Sequence, residues 1–126
     1  MSLEPPQDIL SHLAEVFAPL PKDAVIGVAV SGGSDSVALL LALRAAMPQA
    51  HLCAATVDHG LRAEAKEEAL WVNALCGKLG VAHTTLTVSD LPKGPNLQAR
   101  ARSARYEALA AWGRDMACSS ICLGHS

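Results

Sequence analysis

Ala24-Val25-Ile26-Gly27-Val28-Ala29-Val30 runs directly into Ser31-Gly32-Gly33-Ser34-Asp35-Ser36, and this junction decides the fold. The first stretch is short, continuously apolar and rich in β-branched residues, as a strand buried on both faces must be. The second is a turn whose glycines admit sharp backbone angles and let a ligand approach the main chain. Beyond it, Val37 to Ala46 is apolar almost all round. That predicts a helix packed between a sheet and its neighbours, stopped at Met47-Pro48.

The alternation continues on either side. Ile9, Leu10, Leu13, Val16, Phe17 and Leu20 recur at helical spacing between Pro5-Pro6 and Pro19. They predict a leading helix over residues 8–18, which with its linker occupies residues 1–22. His51 to Val57 reads as a second buried strand, followed by a turn at Asp58-His59-Gly60. Ala63 to Gly80 predicts an amphipathic helix, with Ala69, Val72, Cys76 and Leu79 inward and Glu64, Lys66, Glu67 and Lys78 toward solvent. His83 to Val88 alternates polar and apolar, as an edge strand does. After a loop at Ser89 to Pro95, Asn96 offers a side-chain cap to a helix from Leu97 to about Ala117. Ser120 to Gly124 predicts a fourth strand.

The order α-β-α-β-α-β-α-β predicts an α/β fold: a doubly wound parallel sheet, Rossmann-like, with helices on both faces. A strand that meets the end of the sequence has no helix to cover it. Residues 1–126 are therefore expected to be an incomplete fragment of a longer protein, truncated before the last strand. A homodimer would relieve the uncovered edge.

Composition narrows the function classes. The 126 residues suit one domain, 51% are hydrophobic and 3% aromatic, and 23 Ala with 18 Leu imply a small aliphatic core. Such a chain is not disordered. Its longest apolar run, Val37 to Leu43, is too short to span a membrane, and its start lacks the pattern of a secretory signal. Ten basic residues against twelve acidic ones give net charge -2, which excludes strong nucleic-acid binding by this stretch alone. Cys53, Cys76, Cys118 and Cys122 form no C-x-x-C pair. Cys118 and Cys122 could share a helix face, but no second pair completes a zinc site, so reduced thiols in a cytoplasmic protein are expected.

The chemistry sits in the loop. Free N–H groups at a helix start, with the positive end of the helix dipole, make an anion site, and Ser31, Ser34 and Ser36 add hydroxyls. Asp35 would repel phosphate unless Mg2+ lies between them or unless it caps the helix. The loop lacks the Lys of a Walker motif and the spacing of a dinucleotide fingerprint. A hydrolase elbow would make Ser31 a nucleophile and His125 its base, but the acidic partner should fall between them on a later strand. Arg102 and Arg105, three apart, share a helix face that suits phosphate or an adenylate.

Ser31 to Ser36 (SGGSDS) resembles the pyrophosphate-binding loop of the ATP-pyrophosphatase, or PP-loop, superfamily. Val57 to Arg62 (VDHGLR), Asn96 to Tyr106 (NLQARARSARY) and Leu123 to Ser126 (LGHS) resemble, in order, three segments of the tRNA(Ile)-lysidine synthetase family. The last is cut before that family's acidic pair, and Gln98 stands where the family commonly has Glu.

The resemblance implies an adenine nucleotide alpha hydrolase-like fold with strand order 3-2-1-4, and a cytoplasmic ligase that uses ATP and Mg2+ on tRNA(Ile) and L-lysine. It implies that Ser31, Gly32, Gly33, Ser34, Asp35 and Ser36 hold the pyrophosphate portion of ATP, with Asp35 placing the metal. Val57, Asp58, His59 and Gly60 would seat adenosine, His125 would wall the site, and Arg102 and Arg105 would act with Asp35 in catalysis. The alternatives are a non-catalytic ATP- or pyrophosphate-binding module and another tRNA-modifying adenylating enzyme of the superfamily.

Overall fold

The computed structural model describes residues 15, 23–31, 33–58, 60, 63–88 and 94–123. Apart from Glu15, the expected leading helix lies outside them. The strands are β1 (Val25–Ala29), β2 (His51–Asp58), β3 (Ala82–Thr87) and β4 (Ser120–Leu123). The helices are α1 (Ser34–Ala46), α2 (Ala63–Leu79) and α3 (Leu97–Asp115). Every strand pairing is parallel, and the sheet order is β3-β2-β1-β4, as the resemblance implied. β3 is an edge strand, as its alternation predicted, and β4 is the other edge.

The doubly wound arrangement follows from the two core clusters. On one face Ile26, Val28, Val30 and Ala54 of the sheet meet Leu40 and Leu43 of α1 and Val72 and Cys76 of α2. On the other, Ala29, Cys53 and Ala55 meet Leu109 and Trp112 of α3. β1 contributes to both, so its residues must be apolar throughout. Gly27 is needed for contact rather than for a turn: a Cβ there would lie 2.9 Å from Trp112 Cζ3 and 3.0 Å from Cys118 Sγ. The aliphatic core read from composition is present, with Trp112 as its one aromatic among the described residues.

Two local expectations need correction. α1 starts at Ser34 rather than Val37. Its polar first turn is helical because first-turn N–H groups have no intrahelical partner and tolerate polar neighbours. Asn96 precedes α3 but does not cap it through its side chain: it sits at φ 63°, a left-handed conformation that Asn tolerates. As the predicted helix end and fourth strand have it, Cys118 follows α3, which ends at Asp115, and Cys122 lies on β4. Cys118 Sγ lies 3.7 Å from Cys53 Sγ. Burial, with the Cys118 thiol beside it, pushes the Cys53 pKa up to about 12. All four cysteines are free.

The end of α3 is a Schellman turn. Cys118 N–H donates to Gly113 C=O at 2.9 Å and Ala117 N–H to Arg114 C=O at 3.1 Å. The left-handed residue such a turn requires is Ala117, at φ 55°, where glycine is usual. Ala117→Gly is therefore expected to stabilise the chain by about 1 kcal/mol, read as a higher urea midpoint at unchanged slope.

A polar chain crosses the face that α2 covers. Thr56 Oγ1 on β2 donates to Val30 C=O at 2.7 Å and lies 2.9 Å from His83 Nε2 on β3. His83 Nδ1 in turn lies 3.0 Å from Asn73 Oδ1 on α2. The single hydroxyl proton of Thr56 points at a carbonyl, which can only accept, so Nε2 of His83 carries a hydrogen. Burial lowers the His83 pKa from 6.5, favouring the neutral ring. A neutral ring with hydrogen on Nε2 has a lone pair at Nδ1, and that state requires the Asn73 amide to flip so that NH2 rather than Oδ1 faces the ring. A depressed histidine pKa stabilises the fold above 6.5, and that contribution is lost as pH falls through 6.5 toward the lower folded value. Urea titrations across this range should show wild type losing more stability than His83→Gln below 6.5.

Candidate functional site

The carboxyl ends of the parallel strands form one edge of the sheet. In register, Ala29 at the end of β1 pairs with Ala55 of β2 and Leu123 of β4. The loop after β1, the turn after β2 and the end of β4 therefore share that edge, as does the start of α3, which follows β3. Chain leaving β1 enters α1 on one face, while α3 lies on the other. This divergence is a topological switch point, where open α/β sheets bind ligands.

The loop is built around Ser36. Its side chain is 1% exposed. Its Oγ accepts the Ser31 N–H at 2.9 Å, and lies 3.0 Å from Ser31 Oγ, 3.1 Å from Ser31 C=O and 3.2 Å from Gly33 C=O. Ser31 Oγ accepts the Gly33 N–H at 3.2 Å. Ser31 and Ser36 thus spend their hydroxyls on shaping the loop. Ser34 and Asp35 are exposed at the start of α1. Gly33 is the N-cap, and the helical ladder begins with Val37 N–H donating to Gly33 C=O at 3.3 Å. Helix geometry leaves the N–H groups of Ser34, Asp35 and Ser36 ahead of that bond, at the positive end of the dipole. An anion meets backbone donors there, with Asp35 alongside. Gly32 lies outside the described residues.

Around the second strand the residues divide. Asp58 is buried at 8% exposure, and its Oδ1 accepts the Gly60 N–H at 2.8 Å. Its carboxylate closes a turn in which Gly60 takes φ 71°, a left-handed conformation natural to glycine. Val57 is half-buried and packs against the cluster under α3. His59 and His125 lie outside the described residues.

The two arginines are placed differently. Arg105 falls on the sheet-facing stripe of α3, one turn before Leu109 and one turn after Ala101, and is half-buried. Arg102 is exposed. Its Nη2 donates to Tyr106 Oη at 3.2 Å, and its guanidinium carbon lies 5.5 Å from that ring's centroid. Sequence reasoning passed over Arg100, whose Nε is buried with no hydrogen-bond partner. It also passed over Thr56, the one polar residue inside the run His51 to Val57 after its first position. That isolation was the available signal, since a buried hydroxyl must find a partner.

Among the described residues no group of three His, Cys, Asp or Glu could hold a metal ion. One exposed carboxylate at an anion-binding helix start fits a different arrangement. Mg2+ commonly binds through one or two carboxylates together with substrate phosphates.

Sheet order, switch point and serine-glycine loop define a nucleotide-binding α/β domain. Residues 5–126 match the family described as PP-loop domain, and the chain belongs to that family. A PP-loop domain implies use of ATP. The chain is 42% identical over 122 residues to the tRNA(Ile)-lysidine synthase of Ruegeria pomeroyi, covering 95% of this chain and 29% of the relative. It is 48% identical over 98 residues to that of Novosphingobium aromaticivorans, covering 78% of this chain and 29% of the relative. The chain thus spans under a third of the length of these relatives. Among solved structures, the U34-tRNA thiolase NcsA from Methanococcus maripaludis with its [4Fe-4S] cluster superposes with TM-score 0.80 at 15% identity, over 95% of this chain and 45% of that one. This likeness shows the fold alone.

Removing the Ser36 hydroxyl leaves the Ser31 N–H without its partner in a water-poor site. Ser36→Ala should cost about 1–3 kcal/mol in urea denaturation, and should speed hydrogen exchange at the Ser31 amide.

Proposed function

We propose that this chain is the N-terminal, ATP-handling part of a tRNA(Ile)-lysidine synthetase. The observation that carries the reading is the loop from Ser31 to Ser36, shaped by buried hydroxyls at the switch point, in a chain 42% identical to a curated lysidine synthase over 122 residues.

On this reading the loop and the first-turn N–H groups of α1 hold the pyrophosphate portion of ATP by backbone donors and dipole. Gly32 and Gly33 let the phosphates approach the main chain. Asp58 and Gly60, with Val57, border adenosine, and the family resemblance assigns His59 and His125 to the same nucleotide site. Asp35 holds Mg2+, which neutralises charge on the phosphates when bound. The exocyclic oxygen of the wobble cytidine attacks the α-phosphorus of ATP and pyrophosphate leaves. The side-chain amine of lysine then attacks the activated ring carbon, a C–N bond forms, the C–O bond breaks, and AMP departs with the oxygen. Arg105, half-buried on the sheet-facing stripe, steadies the adenylate's charge, and Arg102, exposed and stacked on Tyr106, would join it only by leaving that ring.

Net charge -2 gives this stretch little electrostatic pull on tRNA. The grip on the tRNA backbone therefore falls, under this reading, to sequence outside the matched part. A tRNA substrate and free thiols suit the cytoplasm, and no helix among the described residues is long and apolar enough to cross a membrane. A homodimer belongs to the same proposal.

The test, made in the full-length protein of which this chain is the N-terminal part on this reading, is pyrophosphate release from ATP with lysine and a tRNA(Ile) transcript, alongside calorimetric binding of Mg·ATP. Asp35→Ala should lower release by about a hundredfold or more, with Mg2+ dependence flattened. Release that survives this substitution would remove Asp35 from the metal. Binding of ATP without release, with or without tRNA, favours a non-catalytic nucleotide-binding module.

A further inference from the structure

Val30 is the residue at which sheet becomes loop. Its N–H donates to Ala55 C=O on β2 at 2.9 Å, continuing the ladder of β1 by one rung. Its C=O accepts the Thr56 hydroxyl at 2.7 Å. The next residue, Ser31, gives its N–H to Ser36 Oγ at 2.9 Å. The peptide unit joining Val30 to Ser31 is thus gripped at both polar atoms. One grip comes from α1 through Ser36, the other from β2 through Thr56. Val30 and Thr56 are 2% and 5% exposed, so water does not substitute easily for either.

Thr56 is itself oriented. It has one hydroxyl proton and two polar neighbours, Val30 C=O and His83 Nε2. Were Nε2 a bare lone pair, the ring would compete with the carbonyl for that proton. With a hydrogen on Nε2, the ring donates to Thr56 and leaves the hydroxyl proton to the carbonyl. Asn73 meets Nδ1 from α2 at 3.0 Å, and it supports a neutral ring of this tautomer once its amide is flipped to place NH2 against Nδ1. The chain runs from α2 through β3 and β2 to the first peptide of the loop, and each member has a defined donor or acceptor role.

We infer that Thr56, oriented by His83 and Asn73, is a positioning residue for the phosphate loop: it fixes the rotation of the Val30–Ser31 peptide from which the loop departs. The inference rests on the reading that this loop takes the pyrophosphate portion of ATP. Thr56 touches no nucleotide in it; the residue acts through the main chain. A loop free to rotate at its first peptide would present Gly33 and the first turn of α1 less consistently, and would bind phosphate more weakly.

The test compares Thr56→Val, which keeps the β-branched shape and loses the hydroxyl, with Thr56→Ser, which keeps the hydroxyl. Two measurements on the 126-residue chain separate this inference from the functional reading. The first needs no ligand: nuclear magnetic resonance of the Val30 carbonyl carbon, the Ser31 and Gly33 amides and the His83 ring nitrogens. Thr56→Val should shift the Val30 and Ser31 signals and broaden that of Gly33, while Thr56→Ser should restore them. The His83 nitrogens should report a neutral ring with hydrogen on Nε2 in the wild type. The second is calorimetric affinity for pyrophosphate with Mg2+. Thr56→Val should weaken it about tenfold, the worth of one buried hydrogen bond, and Thr56→Ser should stay within about threefold of wild type.

Unchanged loop signals and affinity in Thr56→Val would overturn the inference. So would a folded Thr56→Ser that behaves like Thr56→Val, because shape rather than the hydroxyl would then matter. A wild-type chain that binds neither pyrophosphate nor ATP sinks the functional reading, while the ligand-free signals still decide whether Thr56 holds the loop.

Discussion

Burial of β1 on both faces is the constraint on which the rest depends. A strand with helices above and below it carries a polar side chain only where a partner satisfies it, and Val25 to Ala29 read as a plain apolar run. The same burial sets the distance at which α3 can approach. Trp112 lies so close over Gly27 that no side chain fits between them. With β1 paired on both edges and packed on both faces, its carboxyl end is set by β2, β4 and the helices, and the loop that leaves it starts from that position. The hydroxyls of Ser36 and Thr56 then hold the first peptide of the loop from two sides.

Much of the architecture was legible because period and punctuation agreed. Short apolar runs gave strands, and the stripe Ala69, Val72, Cys76 gave the buried side of α2. The sheet order came from family resemblance rather than from periodicity. What could not be read depended on three-dimensional partners. Asn96 has the side chain of a cap but takes a left-handed backbone and makes no side-chain cap bond. The end of α3 was legible to within two residues, but not that it closes in a Schellman turn with Ala117 at the left-handed position, since no glycine marks it.

The site was legible in its loop and less so in its supports. The serines and glycines announce an anion-binding turn, but nothing in their spacing says that Ser36 is buried and occupied internally. Arg102 and Arg105 look equivalent in sequence. Only the tilt of α3 against the sheet separates Arg105, on the buried stripe, from Arg102, which packs on its own Tyr106. Thr56 and His83 sit on neighbouring strands, and their pairing required the β2–β3 register to be known.

The placement of β4 has a consequence for how the chain comes to be folded. β1 takes one neighbour, β2, from nearby in sequence, but its other neighbour arrives only when Ser120 to Leu123 return across the whole domain, pairing Ile26 with Ser120. Closing so long a loop costs entropy before any contact repays it, which makes this a slow step. During synthesis, β1, β2 and β3 with their two helices can assemble first, while one edge of the strand that carries the loop waits unpaired. That interval is when the chain is most open to mispairing with another copy of itself. The strand at the centre of the finished sheet is therefore, for part of the chain's history, its exposed margin.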